Sequence, residues 1–116
     1  MKINKYSFGK MVIDGKFYDS DLLIYNDKIK PNWWREEGHS LCLNDLKFIL
    51  NKNPDIFIMG TGNSGVLNVP NPIQKRLKEL GIKVIIEKTP KAVNTFNKLI
   101  KEKSDQNIAA GFHLTC

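Results

Sequence analysis

The sequence predicts a small α/β domain of three layers, in which an antiparallel N-terminal meander joins a parallel βαβαβ unit. Three near-continuous apolar runs, 56–59, 82–86 and 108–112, indicate strands that are covered on both faces, as parallel strands flanked by helices are. Helical segments separate these runs, and right-handed crossovers make the three strands parallel. A chain of 116 residues supports one hydrophobic core, so residues 1–116 are expected to form a single domain.

The first thirty residues are typical of an antiparallel meander. Asp14-Gly15 is a strong hairpin signal, because a type I′ turn needs positive φ at both central residues, and Asn26-Asp27 marks a second tight turn. Pro31 ends the meander, which either extends the parallel strands or packs beside them, and residues 31–39 form an ordered loop. The strands predicted around the two turns are 11–13, 16–18, 22–25 and 28–30.

Three helices are predicted from apolar spacing and from end signals. The first follows Asn44 as its N-cap and stops at Asn53-Pro54. The second starts at Pro72 and is closed by Gly81, and the third starts at Thr89-Pro90 with the clearest amphipathic pattern. The carboxyl ends of the three parallel strands then meet at one edge of the sheet, where open α/β sheets bind their ligands.

The strand at 56–59 runs into the loop 60–65, which matches the G-x-G-x-x-G pattern of dinucleotide-binding loops. In that fingerprint the third glycine opens a helix, whereas here a short strand extension at 66–69 comes before Pro72. We therefore expect no dinucleotide cofactor, and interpret the loop as a strand exit or a site for a smaller anion. Its candidate contact residues are Gly60, Thr61, Gly62 and Gly65.

The two cysteines do not form a disulfide framework, and both Cys42 and Cys116 are interpreted as free thiols. His39 and His113 each precede a cysteine by three residues, a spacing that could supply two imidazoles and two thiolates to zinc. This is not one of the usual zinc patterns, so no metal is assigned. A cysteine nucleophile activated by His113 is left open on the same residues.

The net charge of +6 comes from lysine more than from arginine. Of the 18 basic residues only Arg35 and Arg76 carry the planar fork suited to phosphate or base edges. A solvated lysine face is therefore favoured over a nucleic-acid partner. The chain has neither an apolar run that could span a bilayer nor the apolar core of a signal peptide, so we expect a cytoplasmic protein with no membrane partner.

Two adjacent tryptophans followed by arginine, Trp33-Trp34-Arg35, form the strongest candidate for an interaction surface. One ring is expected to pack under the meander, while the other lies near the surface with Arg35 beside it. In the alternative interpretation both rings cover a sheet edge. The carboxylate pairs Asp19/Asp21 and Glu36/Glu37 have no evident partner and are interpreted as solvated turn residues.

Together these residues resemble a known family, the small Mth-type domain of unknown function, which includes an adipogenesis-associated domain protein and a mitochondrial complex I assembly factor. The resemblance implies a compact α/β fold and no established enzymatic activity. The mitochondrial member acts through protein partners and carries a targeting extension that this chain lacks, so its respiratory role is not carried over. The residues that carry the resemblance are 7–9, 33–35, 38–39, 60–62 with 65, 81–82, 89–90 with 92, and 109–110 with 113–116.

The leading hypothesis is a non-enzymatic, protein-binding or assembly-type module, because no complete catalytic set is present. The alternative is a pocket, enzymatic or binding a small anionic ligand, at the carboxyl ends of the strands, where the 60–65 loop, Glu87 with Lys88, and His113 would meet. The formation of homo-oligomers is left as a further alternative, because the edge strands lack protection beyond lysines. The candidate partner or ligand surface comprises Trp33, Trp34, Arg35, His39, Gly60, Thr61, Gly62, Gly65 and His113.

Overall fold

The computed structural model describes all residues, 1–116, and contains two β-sheets. The strands are β1 Ile3–Ser7, β2 Lys10–Ile13, β3 Lys16–Tyr18, β4 Leu22–Tyr25, β5 Lys28–Lys30, β6 Ile56–Gly60, β7 Lys83–Glu87 and β8 Ile108–Phe112. The helices are a 3₁₀ turn Leu43–Leu46, α1 Lys47–Leu50, α2 Asn71–Glu79 and α3 Thr89–Glu102. None of these helices is both long and apolar enough to cross a membrane.

The larger sheet has the strand order β5-β4-β8-β6-β7. Strand β6 lies between β8 and β7 and is parallel to both, which confirms the three predicted parallel strands. Every residue of β6 and β8 is buried, because helices or the smaller sheet cover both faces of these strands. The apolar runs that predicted these strands therefore follow from their central position, and the predicted α/β fold class is confirmed.

The predicted meander is divided between the two sheets, so both of its predicted arrangements occur. Strands β1, β2 and β3 form a separate antiparallel sheet that packs beside the larger one, whereas the β4–β5 hairpin extends the larger sheet through antiparallel pairing of β4 with β8. The turn residues Asp14 and Gly15 have φ of 48° and 79°, and Asn26 has φ of 53°. These positive values are those that tight hairpin turns require.

Two apolar clusters lie on the opposite faces of the larger sheet. Alternation along β6 places Ile56 and Ile58 in the cluster shared with α3 and the smaller sheet, and Phe57 and Met59 in the cluster shared with α1 and α2. Phe96 of α3 packs edge-on against a β8 ring, with 6.0 Å between ring centroids. The fold therefore has three layers, with the larger sheet in the middle.

The predicted helix after Asn44 is shorter than expected, and its predicted N-cap is wrong. The helical residues are the 3₁₀ turn Leu43–Leu46 and the single turn α1. Asp45 supplies the capping carboxylate, since its Oδ2 accepts the Cys42 N–H at 2.8 Å, while the Asn44 side chain donates to Glu36 instead. The predicted strand extension at 66–69 is also wrong, because only Asn68 makes a β-bridge there, to Ser40.

Candidate functional site

The carboxyl ends of β6, β7 and β8 lie side by side at one edge of the larger sheet, as the topology requires. The His113 N–H donates to the Gly60 carbonyl at 2.9 Å, and the Thr61 N–H donates to the Glu87 carbonyl at 2.9 Å. The glycine loop, the end of β7 and His113 are thus neighbours, and we call this region the carboxyl edge.

The main-chain N–H groups of the glycine loop are bonded to the protein itself. The Gly62 N–H donates to Thr89 Oγ1 at 2.8 Å, and that hydroxyl donates onward to the His113 carbonyl at 2.7 Å. The Asn63 N–H donates to the Thr115 carbonyl at 2.6 Å, and both the Ser64 and Val66 N–H groups donate to the main-chain oxygen of Cys116. A phosphate-binding loop needs free N–H groups, so this conformation offers none to a pyrophosphate.

Gly62 allows the C-terminal segment to lie against the glycine loop. Its φ is +107°, and a Cβ at this position would lie 2.2 Å from the main-chain carbon of Cys116. The same Cβ would lie 2.9 Å from Cδ2 of the His113 ring. Only glycine fits here, which gives the second glycine of the pattern a packing role within the chain.

Asp21, Arg35 and His113 form a buried charged cluster beside this loop. The Arg35 Nη1 donates to Asp21 Oδ2 at 2.7 Å, and His113 Nδ1 lies 2.8 Å from the same oxygen. Arg35 Nη2 also lies 3.2 Å from His113 Nδ1. The exposed fractions of the three side chains are 17%, 6% and 9%. The interpretation of Asp21 as a solvated turn residue is therefore wrong, because two basic side chains from distant parts of the chain surround it.

These hydrogen bonds determine the protonation of the cluster. Burial alone would raise the pKa of Asp21, but hydrogen bonds from His113, from the Leu114 N–H and from Arg35 hold that pKa below its ordinary value. Because the ionised carboxylate can only accept, the short contact places a proton on His113 Nδ1. Burial, and to a smaller degree the Asp21 charge, raises the pKa of Tyr6, whose hydroxyl donates to the Leu114 carbonyl.

The cluster does not resemble an anion site, because its positive charge is already neutralised. Asp21 balances the guanidinium of Arg35, and Thr61 and Gly62 donate their hydrogen bonds to Glu87 and Thr89. In this conformation these groups therefore bond protein acceptors and do not converge on one anion. Two buried nitrogens, Arg35 Nε and His113 Nε2, have no hydrogen-bond partner.

The two tryptophans have opposite environments. Trp33 is 5% exposed, its Nε1–H donates to the Asp45 carbonyl at 2.9 Å, and its ring lies against Gly111 of β8. Trp34 is 87% exposed. The prediction of one buried and one exposed ring is confirmed, and the buried ring packs on the larger sheet in the cluster that also contains Leu23 of β4. Arg35 was expected beside the exposed ring and instead lies over the Trp33 ring, with 5.1 Å from its Cζ to the ring centroid.

One pocket is lined by both tryptophans and by two members of the charged cluster. Its volume is about 280 Å³, and its lining includes Trp33, Trp34, Arg35 and Asp21. The remaining lining residues are Ser20, Asn32 and Gly38. The exposed indole and the buried ion pair therefore border the same pocket.

Two other exposed apolar side chains lie beside the same C-terminal segment. Phe8 is 58% exposed, and the adjacent Gly9 N–H donates to the Leu114 carbonyl at 2.8 Å. Val66 is 45% exposed, and its N–H donates to Cys116 at 3.0 Å. Gly9, the neighbour of Phe8, and Val66 are therefore bonded to the segment 113–116, and Arg35, the neighbour of Trp34 in the sequence, contacts His113.

The remaining sequence candidates do not form a metal or nucleophile site. His39 is exposed and shares no contact with His113, and no three His, Cys, Asp or Glu side chains lie close enough together to hold a metal ion. Partial burial, followed by the charges of Asp45 and Glu36, raises the pKa of the Cys42 thiol, which disfavours the thiolate. His113 makes no hydrogen bond to Cys116.

Sequence reasoning missed three residues that organise this edge: Asp21, Asp45 and Thr89. The Asp45 carboxylate accepts N–H groups from Cys42 and Glu36, which orders the loop that carries the tryptophans. Thr89 was predicted only as the start of the third helix, but its hydroxyl also joins the glycine loop to His113, directly after β8. A usable signal existed only for Asp21, whose carboxylate immediately precedes the apolar strand β4.

The fold and this edge define a small three-layer α/β domain whose glycine loop is bonded to its own C-terminal segment. The chain belongs to the family described as protein of unknown function (DUF498/DUF598), which matches residues 3–113. This match confirms the resemblance to the Mth-type domain of unknown function.

Several solved structures are similar to this chain over nearly all of its length. A conserved hypothetical protein, PH1505 from Pyrococcus horikoshii OT3, is 29% identical with a TM-score of 0.85, and the similarity covers 100% of both chains. MT938 is 21% identical with a TM-score of 0.79 over 99% of this chain and 98% of its own. A Mth938-like domain protein of Bordetella pertussis is 14% identical with a TM-score of 0.62, covering 97% and 85%. At these lower identities the similarity shows the fold alone.

Proposed function

We propose that this domain of unknown function is a non-enzymatic, protein-binding module whose contact surface is centred on Trp34. The observation that carries the proposal is an indole that is 87% exposed between two buried neighbours, Trp33 and Arg35. An exposed tryptophan on an ordered loop loses little entropy on binding, and tryptophan is enriched among residues that dominate binding energy.

The surroundings of Trp34 support a protein partner over a small ligand. Phe8 and Val66 add exposed apolar area beside groups that bond the segment 113–116, whereas the main-chain donors of the glycine loop are bonded within the chain. The guanidinium of Arg35 is already paired with Asp21, so a small anionic ligand would have to displace that carboxylate to reach it. A protein surface needs no such rearrangement, since it contacts side chains that are already exposed.

We also propose that the domain acts in the cytoplasm, as the sequence predicts. Both cysteines are free, and a reducing compartment keeps such thiols unpaired. Cell fractionation of the native protein tests this location, and recovery in an envelope or secreted fraction would contradict it.

The experiment that tests the binding surface compares two exposed aromatic residues. The purified domain is immobilised and exposed to cell extract as wild type, Trp34→Ala and Phe17→Ala. Phe17 is 55% exposed on β3 of the smaller sheet, away from the carboxyl edge, so it controls for the loss of an exposed ring. Proteins retained by the wild type and by Phe17→Ala are expected to be lost with Trp34→Ala.

The retained proteins are then measured as purified partners. Loss of the indole is expected to weaken Kd by roughly 30-fold, because a residue of this kind contributes about 2 kcal/mol. A photo-reactive amino acid at position 34 should cross-link to the same partner, and one at position 17 should not. An unchanged set of retained proteins after Trp34→Ala, with the variant folded, would show that the surface is assigned wrongly.

A further inference from the structure

The outer edge of the larger sheet at β7 has unpaired main-chain groups. Strand β7 is the last strand, and it pairs only with β6. The Lys83 N–H donates to the Asp55 carbonyl and the Glu87 carbonyl accepts from Thr61, so residues 83, 85 and 87 direct their main-chain groups toward β6. Because these groups alternate along a strand, the N–H and C=O of Val84 and Ile86 point away from the sheet.

The opposite edge of the sheet is better protected than β7, whose charged residues, Lys83 and Glu87, lie only at its two ends. Strand β5 has three residues, with a lysine at each end, and Lys30 lies over the Phe48 ring at 5.5 Å. Short strands and edge lysines are the usual means of blocking an edge. Strand β7 has five residues with three consecutive apolar side chains, and Ile86 is 37% exposed.

A basic groove runs between this open edge and helix α2. Its volume is about 500 Å³, and three of its six lining residues are lysines, Lys75, Lys78 and Lys83. Apolar Ile82 and Val84 form its base. The nearest carboxylates on α2 and β7 are already paired: Glu79 with Arg76 at 3.9 Å, and Glu87 with Lys91 at 3.5 Å.

We propose that β7 is a second binding surface, which takes up an extended acidic segment of a partner protein as a sixth strand of the sheet. The main chain of the segment pairs with Val84 and Ile86, and its carboxylates lie against Lys75 and Lys78. Strand addition of this kind draws affinity from main-chain hydrogen bonds and specificity from side chains at alternate positions. The surface is independent of Trp34, whose neighbour Trp33 packs against Gly111 of β8 and which lines a different pocket.

A second copy of the chain fits this edge less well than an acidic segment does. Pairing two β7 strands about a two-fold axis would bring the basic grooves of both copies, with Lys75 and Lys78, toward each other. The like charges would then have no counter-charge, because Glu79 and Glu87 are engaged within each chain. An acidic segment neutralises the groove instead.

The test uses a synthetic peptide of alternating residues, acetyl-Glu-Val-Glu-Val-Glu-Val-Glu-amide, titrated into the ¹⁵N-labelled domain at low salt. Amide resonances of Val84 and Ile86 are expected to shift, and their hydrogen exchange to slow by roughly tenfold, since these N–H groups gain a partner. The Ile85 N–H already faces β6 and serves as an internal control. The same peptide with lysine in place of glutamate should not bind.

Three variants separate the charge from the main-chain contribution. Lys75→Glu with Lys78→Glu should weaken peptide binding by about tenfold or more, whereas the matched pair Lys98→Glu with Lys101→Glu on α3 should not. Ile86→Pro removes an outward N–H and should abolish binding with the fold kept, because proline is tolerated on an edge strand. Trp34→Ala should bind the peptide normally, which distinguishes this proposal from the proposed function.

Several outcomes would overturn the proposal. Binding that is equal for the acidic and basic peptides, or resonance shifts confined to other strands, would show that β7 is not the site. A dimeric mass by light scattering, with Val84 and Ile86 amides already protected without peptide, would show that a second copy occupies the edge.

Discussion

The carboxyl edge and the β7 edge of the same sheet differ in how their main-chain groups are satisfied. At the carboxyl edge Gly62, Asn63 and Ser64 donate to Thr89 and to the C-terminal segment, so the glycine loop is closed. At the β7 edge no part of the chain bonds the outward groups of Val84 and Ile86. The edge with a recognisable motif is thus occupied by the protein itself, and the edge with no motif is open.

This difference shows that a glycine pattern and an available binding site are separate properties. Glycines permit close approach of the main chain, and here the approaching group is the chain's own Cys116. If the carboxyl edge is built for stability, substitutions there should unfold the protein, apart from the exposed Trp34. Substitution of Ile86, the most exposed apolar residue of β7, should leave stability nearly unchanged.

The largest effect is expected for Trp33→Ala. Removing a buried indole and its hydrogen bond to the Asp45 carbonyl should lower the free energy of unfolding by about 4 kcal/mol. Trp34→Ala is the matched control and should change it by less than about 0.5 kcal/mol. Urea denaturation followed by circular dichroism measures both. Equal decreases in the free energy of unfolding for the two variants would show that the buried and the exposed ring contribute equally to stability.

The next effect is expected for Gly62→Ala, which tests the closed glycine loop directly. The new Cβ would collide with Cys116, and alanine would be strained at the φ of +107° that Gly62 adopts. The free energy of unfolding should therefore fall by about 3 kcal/mol. Gly38→Ala is the control, because nothing lies within 4 Å of a Cβ there. A wild-type melting curve for Gly62→Ala would mean that the C-terminal segment is not held against the loop in solution.

A smaller effect is expected for Arg35→Ala, which leaves Asp21 without its guanidinium. The free energy of unfolding should fall by about 2 kcal/mol. This is less than the loss expected for a buried carboxylate with no partner, because His113 and the Leu114 N–H still bond Asp21. Arg76→Ala is the control, since its pair with Glu79 is half exposed, and it should cost less than about 0.5 kcal/mol. An unchanged free energy of unfolding in Arg35→Ala would exclude a structural role for the ion pair.

The sequence predicted the layers of this fold better than it predicted the site. Strands β6 and β8 and helix α3 were predictable because each carries its own apolar period and its own end signals. The Asp21–Arg35–His113 cluster joins residues separated by up to 92 positions, so no local pattern contains it. The division of the N-terminal meander was equally hidden, since it depends on β4 pairing with the distant β8.

The smallest expected effect is the pH dependence of the Asp21 cluster. Because its hydrogen bonds lower the folded-state pKa of Asp21, its contribution to stability is complete above the unfolded pKa of about 4 and is lost as pH falls through the lower folded value. The free energy of unfolding of the wild type should therefore approach that of Asp21→Asn as the pH is lowered below about 4. Asp27→Asn, an exposed change in the β4–β5 turn, is the control. Its free energy of unfolding should vary with pH in the same way as that of the wild type. A constant difference in the free energy of unfolding between the wild type and Asp21→Asn from neutral to acidic pH would show that Asp21 stabilises the edge by packing. The carboxyl edge would then differ from β7 in shape alone and not in charge.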